Sequence, residues 1–133
     1  MESLSKREIF DKIKNHLLTQ MKKSSAKHSL YSMSESCLYR QKNGLMCAVG
    51  CLIKDKAYSS NLECQVVRTN DVLNALKKSD IDISDESTID MLVAFQNLHD
   101  GEEPIYWSPG IDNIEKTFFG PATTVPQIGL DAG

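Results

Sequence analysis

The sequence predicts an α+β fold, a mainly helical single domain with four or five helices around one short β-hairpin. Four segments carry apolar residues at helical spacing, an Asn-Gly pair separates two short apolar segments, and no repeat occurs. A chain of 133 residues is long enough for one domain with its own hydrophobic core. We place this domain at residues 1–120 and expect residues 121–133, which show no usable periodicity, to form an extended or disordered tail.

The first helix is predicted for residues 6–22. Ser5 followed by Glu8 has the form of a capping box, in which a hydroxyl and a carboxylate bind backbone N–H groups at a helix start. Apolar residues at spacings of three and four mark the face that we expect to be buried: Phe10, Ile13, Leu17 and Met21. The serine-rich residues 23–36 that follow favour a loop.

The β-hairpin is predicted for residues 37–40 and 45–49, which lie on either side of the Asn-Gly pair. Asn-Gly is typical of tight hairpin turns because both residues tolerate a positive φ. A helical turn over residues 46–53 is the alternative, in which Cys47 and Cys51 are neighbours on one helical face.

Two registers of this hairpin are compatible with the sequence. A two-residue loop pairs Lys42 with Leu45 and places Cys37 and Cys47 on opposite faces. A three-residue loop pairs Gln41 with Leu45, and the same two cysteines then share a face.

Three further helices are predicted in the second half of the chain, at residues 70–78, from about 85 to 98, and from 109 to 120. The middle one is apolar on two sides, so we expect it to be the central, buried helix. Ser108 followed by Pro109 predicts the start of the last helix, because proline suits the first helical position.

Net charge is distributed unevenly along the chain. Residues 1–56 contain eleven Lys and Arg and five acids, a net charge of +6, whereas residues 57–133 contain four and thirteen, a net charge of −9. Opposite charges favour the packing of the two halves, which is the simplest interpretation. The isoelectric point near 5.6 argues against direct binding of nucleic acid, since such domains are usually strongly basic.

No membrane-spanning segment and no export signal are predicted. The longest apolar run, residues 47–53, is far shorter than the roughly 18 residues of a membrane helix. Charged side chains at positions 6–8 and 11 occupy the region where a signal peptide has its apolar core. We therefore expect a cytoplasmic protein.

The cysteines are the residues with the widest range of chemistry. Zinc binding by Cys37, Cys47 and Cys51, with Cys64 or a histidine as fourth ligand, is one hypothesis, because thiolates and imidazoles bind zinc tetrahedrally. The chain has no Cys-x-x-Cys, so we interpret these cysteines as small buried hydrophobic residues and predict no cofactor.

Sequence signatures of common enzymes are absent. There is no Gly-rich phosphate-binding loop, no His-Glu-x-x-His and no Gly-x-Ser-x-Gly. A nucleophilic thiol would need a nearby base, and His16, His28 and His99 are the only imidazoles. These observations favour a protein that is not an enzyme.

Four residues are candidates for binding a partner. Tyr106 and Trp107 lie in the connector after Pro104, and large aromatic side chains are frequent anchors of interfaces. The alternative is that Trp107 fills the core between the last two helices. Tyr39 and Arg40, on the first strand of the predicted hairpin, complete the set.

The segment CLYRQKNGLMCAVGCLI at residues 37–53, and the later Leu98-His-Asp followed by Trp107, resemble small uncharacterised proteins encoded by tailed bacteriophages and bacterial genomes. That family carries a CxYRxxxGLxCAVGCLI-like segment. The resemblance implies no activity, but it implies a phage or prophage accessory protein, and such proteins often bind a host protein or a signal molecule. The tail after Gly120 is not part of the resemblance.

The leading hypothesis is therefore a non-enzymatic, phage-type accessory protein that binds and modulates a host macromolecule, in host takeover or anti-defence. Two alternatives stand beside it. One is a zinc- or thiol-dependent protein that uses Cys37, Cys47 and Cys51, and the other is a small-ligand or nucleotide-binding sponge.

Overall fold

The computed structural model describes residues 3–22, 39–40, 44–63 and 65–120, and the backbone of residues 25–27 and 35–37. These residues form four α-helices: α1 (Lys6–Gln20), α2 (Asn70–Lys78), α3 (Glu86–Gly101) and α4 (Trp107–Phe119). Short 3-10 helices lie between them at Gly50–Leu52, Asp55–Ala57, Ser60–Leu62 and Pro104–Tyr106. The predicted tail at residues 121–133 lies outside the described residues.

The predicted α+β class is wrong, because the described residues are mainly helical. Among them, regular strand pairing is confined to two three-residue strands, β1 (Ser25–Lys27) and β2 (Glu35–Cys37), which pair antiparallel with Ser25 opposite Cys37. Residues 45–49, the second strand of the predicted hairpin, form no strand at all.

The predicted hairpin between residues 37–40 and 45–49 is reduced to a single isolated bridge, between Arg40 and Met46. This pair belongs to the register of a three-residue loop, and Gly44 has the positive φ, 93°, that such a loop requires. The bridge does not extend into a ladder, and the central loop residues lie outside the part of the chain that the structure describes.

The strand pairing does not continue beyond Met46, because the backbone N–H and C=O of Met46 bond a side chain of α1 and not a neighbouring strand. The side chain of Gln20 accepts a hydrogen bond from Met46 N over 3.1 Å and donates one to Met46 O over 2.9 Å. The chain then turns into the 3-10 helix Gly50–Leu52, with Cys51 N donating to Cys47 O over 3.2 Å. The helical alternative for residues 46–53 therefore forms only in part, as a single 3-10 turn at Gly50–Leu52.

Helix α1 begins as the sequence predicts and ends slightly earlier. Ser5 Oγ accepts from Glu8 N over 3.2 Å and Ser5 N donates to Glu8 Oε1 over 2.9 Å, which confirms the capping box. The apolar face of the helix is fully buried: Ile9, Phe10, Ile13 and Leu17. Met21 adopts a left-handed φ of 49° directly after the helix, so it is exposed and does not join the predicted stripe.

Helix α3 packs into the core through six buried residues and through the half-buried Val93, Ala94 and Leu98, as expected for a central helix. Its buried residues are Thr88, Ile89, Met91, Leu92, Phe95 and His99. The ring of Phe95 packs 5.5 Å from that of Phe10, so α3 and α1 share one hydrophobic core. None of the described helices is both long and apolar enough to cross a membrane.

The last helix, α4, begins at Trp107, two residues before the predicted start, because the 3-10 helix Pro104–Tyr106 leads directly into it. Its far end is held by α1. Lys6 Nζ donates to Phe118 O over 3.0 Å, which satisfies one of the carbonyls left unpaired at a helix end, and Arg7 pairs with Glu115 over 2.8 Å.

Candidate functional site

Trp107, predicted as a binding residue, lies fully inside the protein, with 0% of its surface exposed. Its ring stacks on His99 with centroids 5.4 Å apart and planes inclined by 25°, and its Nε1 donates to Glu102 O over 3.1 Å. The residue therefore fills the core between α3 and α4, the second of the two interpretations. It fixes the chain on either side of itself and has no surface to offer a partner.

Tyr106, its neighbour, has the opposite environment. Tyr106 is 58% exposed and Ile105 is 75% exposed, so two large apolar side chains stand side by side in water. Ile105 is not among the binding residues predicted from the sequence. The feature that could have indicated it is an apolar residue within a polar connector. The backbone beneath them is fixed, because Tyr106 N donates to Glu103 O over 2.8 Å and Trp107 is anchored in the core.

The charge around these side chains is acidic. Residues 79–115 contain ten Asp and Glu and no Lys or Arg. Within the described residues, Glu86 and Asp90 pair with Arg68, but neither Glu102 nor Asp112 forms an ion pair. We call residues 102–106, with their exposed carboxylates and apolar side chains, the acidic–apolar turn.

Tyr39, the third predicted binding residue, is a buried structural residue. Only 4% of its surface is exposed, and its hydroxyl donates to Gln65 O over 2.6 Å. The carboxylate of Glu63 accepts from the backbone N–H groups of Tyr39 (2.8 Å) and Arg40 (3.2 Å). These bonds attach the segment before the loop to the segment before α2.

Arg40, the fourth, is tied to the neighbouring turn. Its guanidinium donates to Ile53 O over 2.6 Å, pairs with Asp55 over 2.7 Å and lies 4.6 Å from the centre of the Tyr58 ring. Burial and the hydrogen bond to Glu63 raise the pKa of Tyr58 to about 12, so this phenol stays protonated. Tyr39 and Arg40 thus hold neighbouring segments of the fold together, with Tyr39 buried and Arg40 half-buried.

The two described thiols are packing groups. Cys47 is fully buried and accepts from Gly50 N over 3.3 Å, while Cys51 donates to Ala48 O over 3.1 Å. Burial raises the pKa of each thiol to about 12, so both stay protonated at neutral pH and are poor nucleophiles and metal ligands. The side chain of Cys37 and all of Cys64 lie outside the described residues.

No cluster of three or more metal-ligating side chains occurs among the residues that the structure describes. The described residues line two shallow clefts. One of about 200 Å³ lies between the 3-10 helices and α2 and is lined by polar residues such as Asn61, Asp71 and Lys78. The other, of about 330 Å³, lies beside Ile81 and Ile83. Neither contains a predicted site residue, and the first is smaller than usual ligand pockets.

Like His99, which stacks on Trp107, His16 has a structural role. Its Nε2 lies 2.8 Å from Met46 O, and because a carbonyl only accepts, this nitrogen carries the proton. Burial lowers the pKa of His16 from its ordinary value, and the proximity of His99 lowers it further. The folded protein therefore keeps this imidazole neutral. His28 lies outside the described residues.

We expect the protein to lose stability on mild acidification. Because the pKa of His16 is lower in the folded state, the unfolded chain binds more protons, and the free energy of unfolding falls as pH falls below about 6.5. The melting temperature should drop between pH 7.5 and 5.5, and His16→Gln should reduce that drop. The carboxyl groups of Glu8, Asp80 and Asp82 have lowered pKa values and do not titrate in this window. An equal drop in both proteins would contradict the assignment.

Comparison with protein-family models, curated proteins and solved structures found no match to this chain.

Proposed function

We propose that this chain is a non-enzymatic accessory protein of phage type, which binds and modulates a host protein through the acidic–apolar turn. The observation that carries the proposal is the exposure of Ile105 and Tyr106 next to a fully buried Trp107. Exposed aliphatic and aromatic side chains that stand together are typical of protein contact surfaces.

The rigidity of the turn supports this function. The Trp107 ring is clamped against His99, and two backbone carbonyls of the turn accept hydrogen bonds, that of Glu103 from Tyr106 N and that of Glu102 from Trp107 Nε1. A binding loop that is already ordered loses little conformational entropy on association, so more of its contact energy contributes to affinity. The resemblance of residues 37–53 to small phage proteins agrees with an accessory role.

The chemistry of the described residues also points away from thiol catalysis. Cys47 and His99 are both fully buried, and the Cys47 thiol is protonated at neutral pH. A substrate could reach neither group without local unfolding. Binding through the surface is the function that remains best supported.

Site-specific photocrosslinking tests this proposal. A photoreactive residue at position 105 should capture one dominant protein from bacterial lysates, and an excess of unlabelled wild-type protein should compete. Tyr106→Ala should compete about tenfold less well, since it removes a contact side chain and leaves the fold intact.

Val66 provides the matched control position. Val66 is 72% exposed and lies just before α2. The nearby Arg68 pairs with Glu86, at the start of α3, so Val66 lies near that end of the helix. The acidic–apolar turn follows the opposite end of α3, which has 16 residues. An α-helix of this length spans about 24 Å, so the two positions sample different surfaces. Capture of the same protein at both positions, or of none at position 105 from lysates of several species, would refute the proposal.

A further inference from the structure

We infer that the acidic–apolar turn accepts a cationic amphipathic segment of a partner protein, in which Lys or Arg flank apolar side chains. This inference rests on the proposed function and specifies the kind of partner. It follows from two exposed apolar side chains, Ile105 and Tyr106, near the exposed acids Glu102 and Asp112, which form no ion pair with the residues that the structure describes.

Several acids elsewhere in the described part of the chain are paired with cations. Asp80 pairs with Lys54 over 2.6 Å, Glu115 pairs with Arg7 over 2.8 Å, and Arg68 pairs with both Glu86 and Asp90. These four acids are each paired with a cation, whereas Asp71 and Asp82 accept hydrogen bonds from the side chains of Gln65 and Ser84 instead.

Glu102 and Asp112 differ from those acids. Both are exposed, and neither forms an ion pair within the described part of the chain. Glu102 begins the acidic–apolar turn, and Asp112 lies in the second turn of α4, directly after it. Unpaired carboxylates on a surface attract cations from a partner and steer its approach.

The turn also has an apolar centre. Interfaces commonly have an apolar or aromatic centre inside a polar rim, and the charges of the rim select the partner. Ile105 and Tyr106 supply such a centre, and the exposed acids Glu102 and Asp112 lie three residues before and six residues after this pair in the chain. Nucleic acid does not fit this surface, because its phosphates would be repelled by the same carboxylates.

Two synthetic probes test the inference. One is a fluorescent helical peptide of about 14 residues, or four turns, with leucine on one face and lysine elsewhere. The other has the same leucines and glutamate in place of lysine. We expect the lysine peptide to bind at least about tenfold more tightly than the glutamate peptide, and to weaken as NaCl is raised from about 50 to about 500 mM.

Matched double variants separate local recognition from general attraction. Glu102→Gln with Asp112→Asn should weaken binding about fivefold, and Tyr106→Ala about tenfold. The control, Asp71→Asn with Asp82→Asn, removes the same charge elsewhere on the surface and should leave the affinity unchanged.

Equal weakening by the two double variants would overturn the inference, since it would show attraction to net charge alone. Equal binding of both peptides, tighter binding of a short DNA duplex, or a homodimer that Tyr106→Ala abolishes would also overturn it. If position 105 crosslinks a partner that the lysine peptide does not displace, the proposed function stands and only the inference fails.

Discussion

Replacement of Gly50 by alanine is expected to destabilise the protein by at least about 3 kcal/mol, the upper end of the usual cost of overpacking. A Cβ at this position would lie 2.8 Å from the carbonyl carbon of Tyr39 and closer still to its oxygen. The obstacle is backbone, which cannot rotate away as a side chain can. Gly50 does not have a positive φ, so the penalty is steric and does not arise from its own backbone conformation. Urea denaturation followed by circular dichroism measures it.

Gly110 is the matched control for this substitution. Its Cβ would lie 3.1 Å from Cδ2 of Leu98 and closer to Cδ1, which are the ends of a flexible side chain. Alanine is also the better helix former by roughly 0.5–1 kcal/mol, so Gly110→Ala should change stability by less than about 1 kcal/mol. Similar unfolding midpoints for the two variants would show that the close approach of Gly50 to Tyr39 does not exist.

Trp107→Ala is expected to cost about 3–5 kcal/mol, the range for removing a large aromatic side chain from a core. The substitution leaves a cavity between α3 and α4, removes the stacking partner of His99 and leaves Glu102 O without its indole donor. Circular dichroism is the appropriate measurement, because Trp107 is the only tryptophan and its loss removes the fluorescence signal.

Tyr106→Ala is the counterpart, with an expected change within about 0.5 kcal/mol, as for most exposed positions. Equal destabilisation by the two substitutions would contradict the division between a buried anchor and an exposed contact residue. The same division makes Tyr106→Ala a clean probe of binding, whereas the effect of Trp107→Ala on binding would include partial unfolding of the turn.

Much of the helical architecture could be predicted because its signals are local. The capping box of Ser5 and Glu8 uses residues three apart, and the buried stripes of α1 and α3 follow the helical period. The hairpin prediction was wrong because the partners of Met46 are side chains of α1, Gln20 and His16, at separations of 26 and 30 residues. A local sequence pattern cannot indicate that these distant side chains bind the backbone of Met46 in place of a neighbouring strand.

The candidate site shows the same division. The sequence shows two adjacent aromatic residues in a connector that also contains acids. It also shows that the cysteines lack the Cys-x-x-Cys spacing of common zinc sites, which favours buried packing roles for them. Tyr39 and Arg40 have structural roles because Glu63, more than twenty residues later, binds both of their backbone N–H groups. Their roles therefore depend on contacts that only the folded chain forms.

The positions of the helices and their apolar faces can be predicted from the amino-acid sequence, because periodicity and capping act over a few neighbouring residues. The burial of Trp107, the exposure of Tyr106 and the turn at residues 46–53 follow only from the folded chain. Burial and backbone hydrogen bonding depend on partners that are distant in the chain. Two neighbours of similar chemistry receive opposite environments when only one of them faces α3.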